Sequence, residues 1–204
     1  MPIGSKIDNH MASYSSTLLS IIDKAVAIKG IAVADMERKP TPGKWSKKEI
    51  LGHLIDSAYN NHARFLIAEK QGNLIFSGYD QVEWVKRNNY QEQDRSEIFQ
   101  AWSVVNTHLS RLINSIPDHI LSNLTTEHNF HKICFNLLQE GAPSNLSYLI
   151  WDYLDHMEHH LVQIIPDYKV INLPFETYPG LLQAFHFYVL YGNINPNVFY
   201  HIGI

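Results

Sequence analysis

The sequence predicts an all-α protein with four long helices around one core. Apolar residues recur every three or four positions in four separate segments, which is the spacing of one face of a helix. A clear helix start lies at Ser46, and Pro117 and Pro166 end two of the segments. The 204 residues are 45% hydrophobic, which is enough to bury one ample core.

The first predicted helix covers about residues 9–36, with Gly30 as a weak point inside it. The second covers about residues 46–70 and has the clearest start. Ser46 and Glu49 stand three apart, so each side chain can bond the backbone amide of the other in a capping box.

The third predicted helix covers about residues 96–115 and the fourth about residues 145–165. Long connections, residues 71–93 and 117–143, follow the second and third helices. A connection of this length allows the next helix to run parallel to the one before it.

The last part of the chain differs in character from the rest. Within residues 170–204 only Glu176 is charged, and aromatic residues are frequent. We expect one bundle domain over residues 1–168 and a C-terminal extension over residues 169–204, with a short helix at residues 179–191. Because so many aromatics would otherwise stay exposed, we expect the extension to pack on the bundle or on a second copy in a homodimer.

Composition excludes several classes of protein. The net charge of −4 argues against a dedicated nucleic-acid-binding protein, which would present a basic face. The single cysteine, Cys134, excludes an internal disulfide and is typical of a reducing compartment. The N-terminus lacks the apolar stretch of a signal peptide, and no apolar run is long enough to span a bilayer. We therefore expect a cytoplasmic protein that contacts neither nucleic acid nor a membrane.

The fourth predicted helix carries three of the twelve histidines, in the stretch WDYLDHMEHHLVQII at residues 151–165. Successive helical residues lie about 100° apart, which places His160 on the apolar face, His156 at its border and His159 outside it. His156 and His160 stand four apart, so their rings lie on the same side and can share one metal ion. The alternative is a pair of hydrogen-bonded histidines with a structural role.

A third candidate ligand lies on the second predicted helix. His53 begins a polar file that continues through Ser57, Asn60 and Arg64 along the flank of the apolar stripe. Such a file either lines a pocket or is an exposed face. We expect Asn60 and Arg64 to bind a polar or anionic part of a substrate, because a guanidinium can hold both oxygens of a carboxylate. For Arg64 the alternative is a salt bridge to a neighbouring helix.

Two further histidines, His128 and His131, stand three apart in the connection after the third helix. This spacing is also compatible with metal binding. No apolar periodicity anchors the pair, so we expect both side chains at the surface.

Three stretches resemble the DinB/YfiT-like superfamily of metal-dependent enzymes: KWSKKEILGHLIDSAYNNHARF (44–65), GYDQVEW (78–84) and YLIWDYLDHMEHHLVQI (148–164). The first and last contain W-S-x-x-E-x-x-x-H-L-x-D and H-x-x-H-H, the signatures of that superfamily's second and fourth helices. The resemblance covers roughly residues 8–168 and implies a four-helix bundle with up-down-down-up topology, with which the two long connections agree. It also implies that His53, His156 and His160 bind one divalent metal ion, whereas His159 does not.

Three neutral imidazoles leave a metal ion with an open coordination position, which is typical of catalytic rather than structural zinc sites. Zinc or nickel held in this way would activate either water, for hydrolysis of a small substrate, or a low-molecular-weight thiol, for transfer to an electrophile. The resemblance implies both chemistries, since the superfamily includes thiol-dependent S-transferases and proteins described as hydrolases. The alternative is a non-catalytic bundle that uses its aromatic tail for association.

Two acidic residues lie beside the expected ligands. Asp56 follows His53 by three positions, and Asp152 precedes His156 by four. As catalytic residues, each would orient a ligand or transfer a proton. The alternative is that both lie in solvent on the flanks of their helices.

Overall fold

The computed structural model describes residues 11–171, and its architecture is helical. The long helices are α1 (Met11–Lys24), α3 (Lys47–Ala68), α5 (Arg95–Ser115) and α8 (Leu146–Ile164). The short helices are α2 (Val33–Glu37), α4 (Gln81–Asn88), α6 (Asp118–Leu121) and α7 (Phe130–Ile133). From residue 172 onwards the expected C-terminal extension lies outside the described residues. The helix expected at residues 179–191 lies outside them as well.

The four long helices form a bundle around one apolar core, as predicted. Helix α1 packs against α5, α5 against α3, and α3 against α8, while α8 also touches α1. Trp102 of α5 and Tyr153 of α8 are the largest of the fully buried side chains. Two isolated bridges, and no β-strand, occur within residues 11–171. None of the helices described is long and apolar enough to cross a membrane.

Contacts at one end of the bundle indicate how the helices run. Lys24, at the end of α1, donates to the Lys169 carbonyl and lies 4.9 Å from the centre of the Tyr168 ring, beyond the end of α8. Arg95, at the start of α5, donates to the Ile31 carbonyl, which lies beyond the end of α1. These contacts favour the up-down-down-up order, which remains a prediction.

The predicted continuous first helix is wrong. Helix α1 ends at Lys24 and is followed by a 3-10 turn (Ala25–Gly30) and the separate helix α2. Gly30 is a poor helix former, costing about 1 kcal/mol relative to alanine, and Ile31 after it is extended, with φ −74° and ψ 137°. The break redirects the chain so that Met36 of α2 is fully buried.

The starts and ends of the other three predicted helices agree with the structure to within two residues. The capping box at the start of α3 is confirmed. The Glu49 amide donates to Ser46 Oγ at 3.1 Å, and the Ser46 amide donates to Glu49 Oε2 at 2.8 Å. Helix α8 begins similarly, because Asn145 Oδ1 accepts from the Tyr148 amide at 3.1 Å.

The expectation of two surface histidines after α5 is wrong for His128. Its side chain is buried, its Nε2 donates to the Ala142 carbonyl at 2.5 Å, and its Nδ1 accepts from the Phe130 amide at 3.2 Å. His131 is partly buried, 3.5 Å from a carboxylate oxygen of Glu140. His128 thus links two parts of the connection between α5 and α8. The sequence did not indicate this role, because the segment around His128 has no helical periodicity.

Candidate metal centre

Three imidazoles from α3 and α8 meet where the two helices pack together; His53 is buried, and His156 and His160 are partly buried. His53 Nε2 lies 3.2 Å from His156 Nε2, and one ring nitrogen from each of His53, His156 and His160 lies within 4.8 Å of the others. Ring centres are 5.0 Å apart for His53 and His160 and 4.7 Å apart for His156 and His160. No other group of three His, Cys, Asp or Glu side chains is this compact within residues 11–171. The structure therefore brings together the three histidines that the sequence singled out.

Burial favours the uncharged form of these imidazoles by lowering their pKa values. Desolvation, reinforced by the neighbouring His160, lowers the pKa of His53 to about 3, and desolvation lowers the pKa of His160 to about 4. For His156, burial and then the surrounding histidines hold the pKa well below its usual range. A histidine binds a metal ion only as the neutral imidazole. The facing Nε2 atoms of His53 and His156 can be joined by one proton or by one metal ion. The donor set thus fits a divalent ion that prefers nitrogen ligands.

The side chains around the imidazoles orient two of the rings. His160 Nδ1 donates to Gln163 Oε1 at 3.2 Å, which leaves Nε2 of His160 as its ligand nitrogen. Gln163 in turn donates to Nε2 of His159 at 3.0 Å, and His159 is exposed. The ring of Trp45 lies 5.1 Å from that of His53, centre to centre. His159 thus lies outside the buried face of α8, as the helical spacing predicts, with its ring centre 5.2 Å from that of His160.

Asp56 is buried, so the alternative of a carboxylate in solvent is wrong. Its Oδ1 accepts from the Tyr90 hydroxyl at 2.7 Å and from Asn88 Nδ2 at 2.8 Å. Its Oδ2 is buried and has no hydrogen-bond partner within the described residues. Burial raises the pKa of Asp56, and the two hydrogen bonds oppose that rise. A carboxylate held by one oxygen, with the other unpaired, is suited to accept a proton.

Gly52 allows this arrangement. A Cβ at Gly52 would lie 2.1 Å from Cγ of Tyr90, closer than any real contact. The Tyr90 ring therefore packs directly against the backbone of α3, one turn before Asp56. A glycine inside a helix normally costs about 1 kcal/mol relative to alanine, and here its missing side chain is what admits the ring.

Asp152 is also buried and holds a loop against the histidines. Its Oδ2 accepts from the Phe135 amide at 3.0 Å, and its Oδ1 accepts from the Asn136 amide at 2.6 Å. The Phe135 ring lies 5.4 Å from that of His156 and 4.9 Å from that of His159, centre to centre. Burial raises the pKa of Asp152 to about 6, against the effect of the loop amides. The solvent-exposed interpretation is wrong for this residue too.

The two residues expected to bind substrate lie further along α3. Asn60 is partly buried and donates to the Asp56 carbonyl of its own helix at 3.1 Å. Arg64 is buried, with Nη2 donating to the Ser77 carbonyl at 3.1 Å and Nε without a partner in residues 11–171. Arg64 forms no salt bridge within that range. Its role in binding remains a prediction.

Sequence reasoning missed four residues around the site: Gln163, Phe135, Asn88 and Tyr90. Gln163 had a detectable signal, since it stands one helical turn after His160. Gly52 was a second signal, because a glycine inside an apolar helix often marks a close approach by another element. Phe135 and Asn88 had none, because only the fold of the connections brings them to the histidines and to Asp56.

Comparisons with known proteins agree with this architecture. The model of the DinB superfamily matches residues 25–164 of the chain. Among solved structures, the chain is similar to YfiT from Bacillus subtilis, described as a probable metal-dependent hydrolase with an unusual four-helix bundle topology. That match has a TM-score of 0.61 and 17% sequence identity, covers 80% of this chain and 89% of YfiT, and shows a shared fold. No curated protein shows significant similarity to the chain. Because the family match spans most of the chain, this protein belongs to the DinB superfamily.

Proposed function

We propose that this protein is a metal-dependent enzyme in which His53, His156 and His160 hold one divalent ion, either zinc or nickel. The observation that carries the proposal is the convergence of three imidazoles from two helices, with one ring nitrogen of each within 4.8 Å of the others. Imidazole nitrogens suit zinc and nickel better than magnesium or calcium, which prefer oxygen ligands. A three-histidine set also leaves room for a reactant, as catalytic sites require.

A divalent ion bound by neutral ligands makes a water or a thiol nucleophilic at neutral pH. In this proposal Asp56 accepts the proton released by the nucleophile. Its Oδ2 is unpaired, its Oδ1 is fixed by Tyr90 and Asn88, and it stands one turn after His53 on α3. Its raised pKa makes it a better proton acceptor than an exposed aspartate.

The nucleophile is supplied from outside the chain. Cys134 is the single cysteine of the sequence, and burial raises its pKa well above the usual range, so its thiol stays protonated and unreactive. Water and a low-molecular-weight thiol are the two candidates. The first gives hydrolysis of a small molecule. The second forms a bond between the thiol sulfur and an electrophile, while the S–H proton passes to Asp56 and any displaced group leaves the electrophile.

Asp152 acts as a positioning residue in this proposal. Its carboxylate holds the backbone of the loop that carries Phe135, and the Phe135 ring packs on His156. Loss of the carboxylate would release the loop and loosen the wall of the site. Such loosening can lower activity strongly without removing any group that touches the reactants.

Arg64 and Asn60 would bind an anionic or polar group of the substrate. A buried guanidinium stays charged, and the unpaired Nε of Arg64 suits an anion. Arg64 stands eleven positions after His53, or roughly 16 Å along the helix. A ligand that reaches both the metal and Arg64 is therefore extended rather than compact.

Metal analysis tests the core of the proposal. Protein purified without a metal-binding tag should contain about one zinc or nickel ion per chain, measured by elemental analysis. The metal-loaded protein should then act on ester or amide substrates alone, which indicates hydrolysis, or only with an added thiol and an electrophile, which indicates transfer. A folded protein with no metal and no activity in either assay would favour the non-catalytic bundle.

The substrate role of Arg64 is tested by Arg64→Lys. Lysine keeps the charge but loses the paired N–H donors, so KM should rise by about tenfold with little change in kcat. Arg111→Lys, at an exposed position of α5, is the matched control. A loss of stability without a change in KM would assign Arg64 to the fold alone.

A further inference from the structure

A shallow cavity of about 300 Å³ opens beside the metal centre. Phe135, Val162 and Val170 line it, together with His159 and Gln163, which is bonded to His160. The three apolar side chains are 41%, 50% and 55% exposed. Exposed apolar side chains that are grouped in one depression are typical of an interaction surface. We call the surface formed by Phe135, Val162 and Val170 the apolar patch.

The chain leaves the described region at the edge of this patch. The Ile171 amide donates to Glu158 Oε1 at 2.8 Å, and the Tyr168 hydroxyl donates to the same oxygen at 2.7 Å. Glu158 is itself buried, so this anchor belongs to the body of α8. Val170, one residue before Ile171, lines the cavity. The described part of the chain therefore ends next to the apolar patch.

The composition of residues 172–204 is typical of a segment that binds an apolar surface. Residues 172–204 contain eight Phe and Tyr residues and a single charged residue, Glu176. The family match ends at residue 164, so this segment is an addition to the shared bundle. An addition so rich in aromatics gains most by removing its side chains from water.

We propose that residues 172–204 dock on the apolar patch of their own chain. The anchored start favours the same chain over a second copy. A tethered segment beside its site has an effective concentration on the order of millimolar, which a second copy would have to exceed. The inference is independent of the proposed function, because it concerns the surface beside the histidines and not their chemistry.

Protease sensitivity of the full chain tests the proposal. Val162→Arg places a charge in the apolar patch, whereas Val104→Arg places one at an exposed position of α5, away from it. Chymotrypsin cleaves after aromatic residues, so docking should slow cleavage within residues 172–204. Val162→Arg should raise the initial cleavage rate there about tenfold, measured by mass spectrometry, and Val104→Arg should leave it unchanged.

Val170→Arg provides a second disruption outside any helix, in case the first perturbs α8, and it should give the same increase. Equal cleavage rates in the patch variants and in Val104→Arg would overturn the proposal. So would a dimer, seen by sedimentation of the unmodified chain, that only the patch variants dissociate, because the segment would then dock on a second copy. Neither measurement needs metal or activity, so its failure is separate from that of the proposed function.

Discussion

The two halves of the bundle treat buried polar groups differently. Among the side chains that the structure describes, helices α1 and α5 bury almost only apolar ones, with Ser15, Asn106 and Ser110 as the polar exceptions. Helix α3 alone buries more than twice that number: Lys48, Glu49, His53, Asp56, Ser57, Asn61 and Arg64. Burying a polar group costs free energy unless it is paired. The α1–α5 half therefore contributes mainly to stability. The α3–α8 half loses some stability because it buries the polar side chains of the candidate site.

Pairing of the buried groups sharpens this difference. Asn106 in α5 bonds both to the Tyr153 hydroxyl and, at 2.8 Å, to the Trp102 carbonyl. In α3, by contrast, His53 Nδ1, Asp56 Oδ2 and Arg64 Nε have no partner in the described range. The indole nitrogen of Trp102 is the exception in the apolar half. The three unpaired atoms on α3 all belong to residues that the proposed function assigns to the site.

The largest expected effect comes from removing one of the proposed metal ligands on the α3–α8 side. His53→Ala, His156→Ala and His160→Ala should each weaken metal binding by roughly 10³-fold, since structural zinc sites provide about 10–16 kcal/mol shared among their ligands. Competition with a chromophoric chelator measures the affinity. His159→Ala should leave it unchanged, because His159 is exposed and bonds to Gln163. If the His156→Ala variant bound metal strongly and the His159→Ala variant bound none, the assignment of His156 as a ligand would be wrong.

A change in the other half should affect stability and spare the metal. Trp102 is fully buried in α5, so Trp102→Ala should lower the free energy of unfolding by about 3–5 kcal/mol. Denaturant titration of the metal-free protein measures this loss, and chelator competition should show unchanged metal affinity. Val104→Ala, at an exposed position two residues away, should cost less than about 0.5 kcal/mol. A large drop in metal affinity with Trp102→Ala would show that the halves are not independent.

Acid should destabilise the metal-free protein through the histidines. The pKa of His53 is about 3 in the folded state and about 6.5 when unfolded, so the unfolded chain binds more protons below pH 6.5. The contribution of His53 to the free energy of unfolding is therefore fully present above pH 6.5 and is lost as the pH falls. At pH 5 the loss from His53 alone is roughly 2 kcal/mol. Asp152, whose pKa is raised to about 6, acts in the opposite direction over a smaller range.

Urea midpoints of chelator-treated protein at about pH 7.5 and 5 measure this dependence. The His53→Asn variant is the control and should show a smaller difference, because it lacks one of the depressed imidazoles. A midpoint that rises on acidification would mean that the carboxylates dominate, and the histidine explanation would be wrong.

The smallest expected effect is at the start of α3. Ser46→Ala removes the cap of the Glu49 amide and should cost about 1 kcal/mol, read from the denaturation midpoint. Ser46 Oγ also donates to Gln91 Oε1 at 2.6 Å, so Gln91→Ala separates the two contributions. An unchanged midpoint with an unchanged slope in Ser46→Ala would count against the capping box.

The sequence by itself determined the features that depend on neighbours along the chain. The capping box joins residues three apart, and His156 and His160 share one side of α8 because they stand four apart. Helical periodicity acts over the same short range. It therefore predicted three of the four long helices and the placement of the three histidines beside the core, and the family resemblance implied that they form one site.

Only the tertiary structure decided which contacts the segments between the long helices make with the site and the core. Asp56 meets Tyr90, which is 34 residues away, and Asp152 meets the Phe135 amide, which is 17 residues away. His128 is buried against the Ala142 carbonyl, and α1 ends early so that Met36 can enter the core. No local pattern encodes such contacts, because packing between distant segments sets the burial of each carboxylate and ring. Burial in turn sets the pKa values, and with them the chemistry of the site.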